Sequence, residues 1–281
     1  IEGYVKIQPP TCFRCPFKLK YSSCSCFCAK MLENIIEYEG PESVAAFIIE
    51  PIGNTGGIVT PPLEYLPMVM EICSRYGVML IFDEIITGMG RTGEWFAAQT
   101  FGVIPDLLCA GKGLSSGYSP LSAVAARDDL YFSTFWGEDE ENIQFASGHT
   151  YGGNPVSAAA GLATIDYIEK NNLLENGRKT GEYIRKRLNE EVGKVGVLGE
   201  VRGRGCLACV EFVEDQATGK PFPPEKRFGK KVQKRLIEEG LILRCDPDWI
   251  AFAPPLTTTV EQADEMIDIF IKCIKAELEG K

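Results

Sequence analysis

One histidine, His149, is all that this 281-residue chain offers, so a histidine general base has a single candidate. No long run of Lys and Arg is present. The balance of 29 basic to 39 acidic residues leaves a formal net charge of -10, which excludes a surface built to follow a phosphate backbone; nucleic acid is not an expected partner. No apolar stretch approaches the roughly 20 residues of a membrane helix, since the longest runs, such as Val78 to Phe82, are strand-sized; a membrane partner is excluded as well. Internal repeats and low-complexity segments are absent, which excludes a solenoid. An initiating Met is missing too. The chain opens on Ile1, just before the β-like stretch Tyr4 to Gln8, so further residues are expected before it, any targeting peptide among them.

What is present suits one large core and a smaller one: 45% of the residues are hydrophobic, and the chain reads as a globular, soluble, cytoplasmic protein. Its eleven cysteines are many for such a protein. Six of them, Cys73, Cys109, Cys206, Cys209, Cys245 and Cys273, sit in apolar surroundings and read as small core residues. The other five, Cys12, Cys15, Cys24, Cys26 and Cys28, begin with a CxxC spacing that superficially suits zinc. No metal is assigned to them.

From residue 44 onward strand-like and helix-like stretches alternate, the pattern of a largely parallel sheet covered by helices. Val44 to Glu50 reads as a buried strand. Pro62 to Tyr76 reads as a helix with Leu63, Leu66, Met70 and Cys73 on its apolar face and Gly77 as its stop. Val78 to Asp83 is a nearly all-apolar strand ending in two acids, and Leu107 to Ala110 and Leu121 to Ala126 read as strands buried on both faces. A helical pattern from Pro155 to about Val192, broken near Asn171 and Asn172, carries the chain out of this sheet. The domain boundary is set there, dividing residues 1–170 from 171–281. The second part shows strands at Cys206 to Phe212, Leu241 to Arg244 and Trp249 to Ala253, with helices at Pro224 to Glu239 and Val260 to Leu278.

The chemistry concentrates at strand ends, where sheets of this kind carry their sites. Asp83 ends a strand so apolar that an ionised carboxylate there calls for a cationic partner. After the strand Leu107 to Ala110 comes Gly111-Lys112-Gly113, whose small flanks leave the lysine free to reach a cleft. A lysine amine and a carboxylate so arranged suit pyridoxal 5'-phosphate: the amine forms a Schiff base, and the carboxylate keeps the pyridine nitrogen protonated. The run Ser147 to Pro155 offers hydroxyls and amides just before a helix start, the chemistry of a phosphate cradle, with Thr150 as the chosen ligand.

These residues lie within an ordered set of segments: Phe47 to Ile52, Phe82 to Ile85, Gly88 to Gly93, Pro105-Asp106, Ala110 to Gly113, Thr150 to Pro155 and Ala253 to Thr257. The set resembles the class III aminotransferases, of aspartate aminotransferase fold type I. The resemblance implies an α/β fold: a large cofactor domain with a mostly parallel sheet, incomplete at its N-terminus, and a smaller C-terminal α+β domain. It also implies that Lys112 carries pyridoxal phosphate and that Asp83 pairs with the ring nitrogen. Ile85 would pack on the ring, Glu50 would stand near cofactor and substrate, and Thr150 would bind the phosphate in the neighbouring subunit of a homodimer with shared active sites. Many relatives place, directly after the position of Ile85, a Gln that hydrogen-bonds the cofactor's phenolic oxygen; this chain has Ile86, which lacks the side-chain amide for that contact. Relatives also carry, further N-terminal, a glycine- and serine-rich phosphate turn and a ring-stacking aromatic, neither of which stands before Glu50.

The stretch Gly113 to Leu121, with Leu243-Arg244 ahead of Ala253-Pro254-Pro255, resembles the ω-amino acid or amine:pyruvate branch. There an arginine at the position of Arg244 pairs with the carboxylate of the 2-oxo acid acceptor, a contact that a guanidinium makes bidentately. The amino donor stays open among taurine, β-alanine, a diamine and an aryl amine. An aminomutase or a decarboxylating transaminase would carry the same motifs. A reading of another class is an inactive remnant that dimerises or binds metal through its cysteines. His149 reads as no catalytic group, because Lys112 already supplies the base, and Arg91 reads as a loop-holding residue.

Overall fold

The computed structural model describes residues 3–130 and 148–280. Its first half is a four-stranded sheet in the order β1 (Ala46–Ile49), β2 (Met79–Asp83), β3 (Leu107–Ala110), β4 (Ala123–Ala126). The first three strands are parallel, and β4 closes the row antiparallel to β3. Helices α1 (Phe27–Glu39) and α2 (Tyr65–Tyr76) pack on each other and on the sheet, and the short α3 (Ala97–Phe101) lies between β2 and β3. Leu80 and Phe82 point from β2 into this core, where Tyr65, Leu66 and Val69 of α2 meet them. Each such side chain contributes about 2 kcal/mol by leaving water.

Two long helices, α4 (Pro155–Lys170) and α5 (Leu173–Val195), lead to a second sheet in the order β5 (Leu198–Arg202), β6 (Ala208–Phe212), β8 (Trp249–Phe252), β7 (Arg244–Cys245). All its pairs are antiparallel. Helices α6 (Phe228–Glu238) and α7 (Val260–Leu278), with α5, cover it around a core of Phe212, Phe252 and Phe270. The predicted break falls between α4 and α5, at Asn171 and the left-handed Asn172.

Several local expectations are corrected. Tyr4 to Gln8 forms no strand. The helix expected from Pro62 starts at Tyr65, and its buried face is Tyr65, Leu66, Val69, Ile72 and Cys73; Leu63 and Met70 are exposed. Every residue of β4 is exposed, not buried on both faces, because nothing among the described residues lies over it. Arg227, left-handed at φ 44°, splits the expected helix into a short turn and α6. The strand expected at Leu241 to Arg244 is reduced to Arg244 and Cys245. Five of the six core cysteines are buried, and Cys109 is half-buried beside Asp83. The sequence reading has no counterpart for α1, α3 or β5, the last of which carries Gly199 and two charges that mask its period.

Candidate active site

Parallel strands put their carboxyl ends on one edge, and three of the singled-out residues stand there. Ile49 pairs with Phe82 and Asp83 with Cys109, so Glu50, one step beyond Ile49, comes abreast of Asp83. Lys112 follows two residues after the end of β3. Between them runs Ile85, whose backbone N–H donates to Asp83 Oδ1 at 3.0 Å. A methyl added to Gly111 would come within 2.8 Å of Ile85 Cδ1, so the glycine lets the lysine-bearing turn lie against that side chain as it stands.

Asp83 is half-buried, and no cation forms an ion pair with it among the described residues. The cationic partner expected of it is therefore not supplied by any described side chain. Oδ1 is held by Ile85, while Oδ2 has no hydrogen-bond partner among the described residues. Lys112 is exposed and takes a left-handed φ of 42° at the head of a short 3-10 turn reaching Ser115. For a residue with a side chain that conformation costs on the order of 1 kcal/mol. The turn is held by Ser115, which donates its hydroxyl to the carbonyl of Ser119, and by α4, which packs on it. Ser119 Oγ and Ser157 Oγ of α4 are 2.7 Å apart.

Glu84 is the feature that the sequence reading missed. It reads locally as a turn cap after an apolar strand, yet it is 1% exposed. Its carboxylate accepts from the N–H groups of Ala97 (2.6 Å) and Ala98 (2.8 Å) and from Thr87 Oγ1 (2.9 Å). Burial pushes its pKa up, against the pull of those donors. Glu84 thus pins the turn after Asp83 to the start of α3. Nothing adjacent in sequence signals this, because two of the donors lie thirteen and fourteen residues on.

Glu50 Oε2 accepts from the N–H of Asn54 at 3.0 Å, which folds the next loop back so that Gly53 pairs with Val59. That loop meets the second sheet: Arg202 donates to the carbonyl of Gly57 at 2.7 Å, and a methyl on Gly57 would come within 2.9 Å of the Trp249 ring. Arg244 is exposed, with its guanidinium 5.9 Å from the centre of the same ring. Arg91 holds its loop as expected, donating to the carbonyl of Pro254 at 2.6 Å.

Thr150 is exposed and hydrogen-bonds to nothing among the described residues; Ser147, the first residue of the expected cradle, lies outside them. Gly152 donates to the carbonyl of His149 at 2.8 Å, and Asn154 caps α4 by accepting from the N–H of Val156 at 2.9 Å. The five clustered cysteines line one small apolar pocket in front of α1. Burial pushes Cys12 up to about 11 and Cys26 up to about 12. No group of three Cys, His, Asp or Glu among the described residues is arranged to hold a metal ion.

Residues 7–274 match the class-III aminotransferase family. The chain belongs to that family. Among its relatives, the diaminobutyrate–2-oxoglutarate transaminase of Halomonas elongata is 41% identical over 242 residues, 85% of this chain and 51% of its own length. The putrescine–pyruvate aminotransferase of Pseudomonas aeruginosa is 36% identical over 275 residues, 98% of this chain and 59% of its own length. A solved transaminase structure obtained by ancestral reconstruction superposes with a TM-score of 0.94 at 36% identity, over 100% of this chain and 62% of that one. This aminotransferase chain therefore spans between half and two thirds of the proteins it matches, and its two sheets adopt the fold of the transaminase neighbours. No helix among its described residues is long and apolar enough to cross a membrane.

Proposed function

We propose that this aminotransferase moves an amino group from an amine or ω-amino acid to a 2-oxo acid such as pyruvate, with pyridoxal 5'-phosphate as cofactor. The observation that carries the reading is the single edge on which Asp83, whose Oδ2 has no partner among the described residues, and the exposed Lys112 stand at the ends of neighbouring strands. The donor set fits the cofactor: an accessible amine, a carboxylate oxygen without a partner among the described residues, and an aliphatic side chain between them. When bound, pyridoxal phosphate supplies the electron sink that makes a proton on the donor's carbon removable.

In this reading Lys112 Nζ would hold the cofactor covalently and would carry the proton to and from the donor's carbon. Asp83 Oδ2 keeps a proton on the ring nitrogen. Ile85 packs on the ring, Glu50 stands near cofactor and substrate, and Arg244 pairs with the acceptor's carboxylate. Release of Arg244 from the Trp249 ring would free its guanidinium for that contact. The relatives that take diaminobutyrate and putrescine support a donor whose amine sits at a chain end. Residues 1–170 form the cofactor domain and 171–281 the small domain, in the cytoplasm.

Thr150 serves the neighbouring subunit's phosphate, in a homodimer. Supporting this, α4 carries no charge from Pro155 to Ile165: Ser157, Gly161 and Thr164 face inward, yet Val156 and Leu162 on the outer side stand 71% and 67% exposed. A helix of that kind belongs inside an assembly. The test is covalent trapping. Reduction with borohydride in the presence of pyridoxal phosphate should fix the cofactor on the peptide containing Lys112, and Lys112→Ala should lose that modified peptide. Equal labelling of the variant, or a cofactor recovered only on other lysines, overturns the assignment.

A further inference from the structure

A groove of about 860 Å³ runs between the Thr92 to Thr100 stretch, α5 and the turn joining β5 to β6. Its floor is that turn, Gly203-Arg204-Gly205, wedged where no side chain but one can fit. Methyl groups added to Gly203, Gly205 or Gly181 of α5 would overlap backbone atoms of Leu207, of Thr92 and Arg91, and of Gly205. The glycines leave Arg204 as the one side chain of the turn, fixed in position by backbone on either side.

Arg204 has no ion-pair partner among the described residues, and its Nε is shielded from solvent without a hydrogen bond. Its guanidinium lies over the Phe101 ring at 5.8 Å from the centre. Beside it Arg185 donates to the carbonyls of Gly205 and Leu207. Burial and the Arg204 charge both push the Arg185 pKa down, although Glu182 opposes them. Two guanidinium groups held together this way repel, and an orphaned charged donor is costly to keep buried. Both penalties vanish if an anion sits between them.

The other charges of the groove are largely committed. Arg202 is paired with Glu200 and Glu211, and Arg178 with Glu175 and Glu94. That leaves Arg204, Arg185 and the exposed Lys186 against Glu182, a surplus of two positive charges among the lining residues. The surplus matches a dianion, and guanidinium groups suit its tetrahedral oxygens. The space is larger than a bare phosphate needs.

We propose that this groove binds a small phosphate ester through Arg204, Arg185 and Lys186, at a site separate from Lys112. The probes are inorganic phosphate and glycerol phosphate, titrated calorimetrically into the chain at about 0.1 M salt, where exposed charges alone are screened. One saturable site is expected for both, with the ester bound more tightly. Arg204→Gln should weaken it at least about tenfold and Arg204→Lys less, since a charged hydrogen bond is lost in the first and partly kept in the second. Lys186→Gln, a surface change that leaves the turn untouched, should weaken it about threefold. Thr150→Ala and Lys112→Ala should not change it, which separates this site from any phosphate held with the cofactor. The proposal is overturned if neither probe saturates, if a folded Arg204→Gln and Lys186→Gln bind as the parent does, or if Thr150→Ala abolishes binding while Arg204→Gln keeps it.

Discussion

Asp83 and Glu84 are neighbours with the same functional group, and the backbone sends them to opposite duties. Among the described residues Asp83 keeps one oxygen without a partner at the sheet edge, whereas Glu84 turns inward and spends its oxygens on Ala97, Ala98 and Thr87. Glu84→Gln keeps the size but turns one acceptor into a donor facing an N–H. The variant should lose about 2 kcal/mol of stability, measured by urea denaturation, the cost of a buried donor left without its acceptor. It should also hold pyridoxal phosphate less tightly, because the turn carrying Ile85 loses its anchor to α3. Unchanged stability would mean that Glu84 is not the pin described.

At the scale of elements, glycines decide how closely α5 approaches the second sheet. Gly181 lies against the backbone of Gly205, so Gly181→Ala should destabilise by about 3 kcal/mol or more through overpacking against atoms that cannot swing away. Gly193, in the same helix, has only Leu198 Cδ2 at 3.8 Å from an added methyl. Gly193→Ala should therefore stabilise by about 0.5 kcal/mol through helix propensity. Thermal melts of the two variants, moving in opposite directions, check the pair. The sequence reading found both long helices here but not β5, whose Gly199 accommodates Phe13 and Val213 and interrupts the apolar alternation that marks a strand. Helix α2 shows the opposite case: its period makes it legible, but it starts only at Tyr65, which leaves Leu63 outside it, and its buried face runs through Val69 and Ile72 instead of Met70.

For the whole molecule, the bare faces of β4 and α4 matter most. Val124 is 64% exposed, on an all-apolar strand, and Leu162 67%, on the uncharged first turns of α4. If the proposed homodimer assembles through α4, its second copy would cover Leu162. Sedimentation velocity should find the chain dimeric, and Leu162→Glu should shift it toward monomer by burying a charge against an apolar surface. A parent chain that sediments as monomer at micromolar concentration would break the link between α4 and assembly.

What the sequence determined by itself was chemistry and order: an acid and a lysine at successive strand ends, a capped helix after Thr150, and the run of motifs that marks the class-III aminotransferases. Those features are local, set by periods of two and 3.6 residues and by which groups can ionise. The tertiary structure alone decided what those groups meet. It brought Glu84 to α3, left Asp83 without a cation among the described residues, laid Arg244 on Trp249 and set Arg204 beside Arg185. Each of these contacts joins residues that no local pattern links, because the chain must fold back on itself before their charges and backbones are within reach.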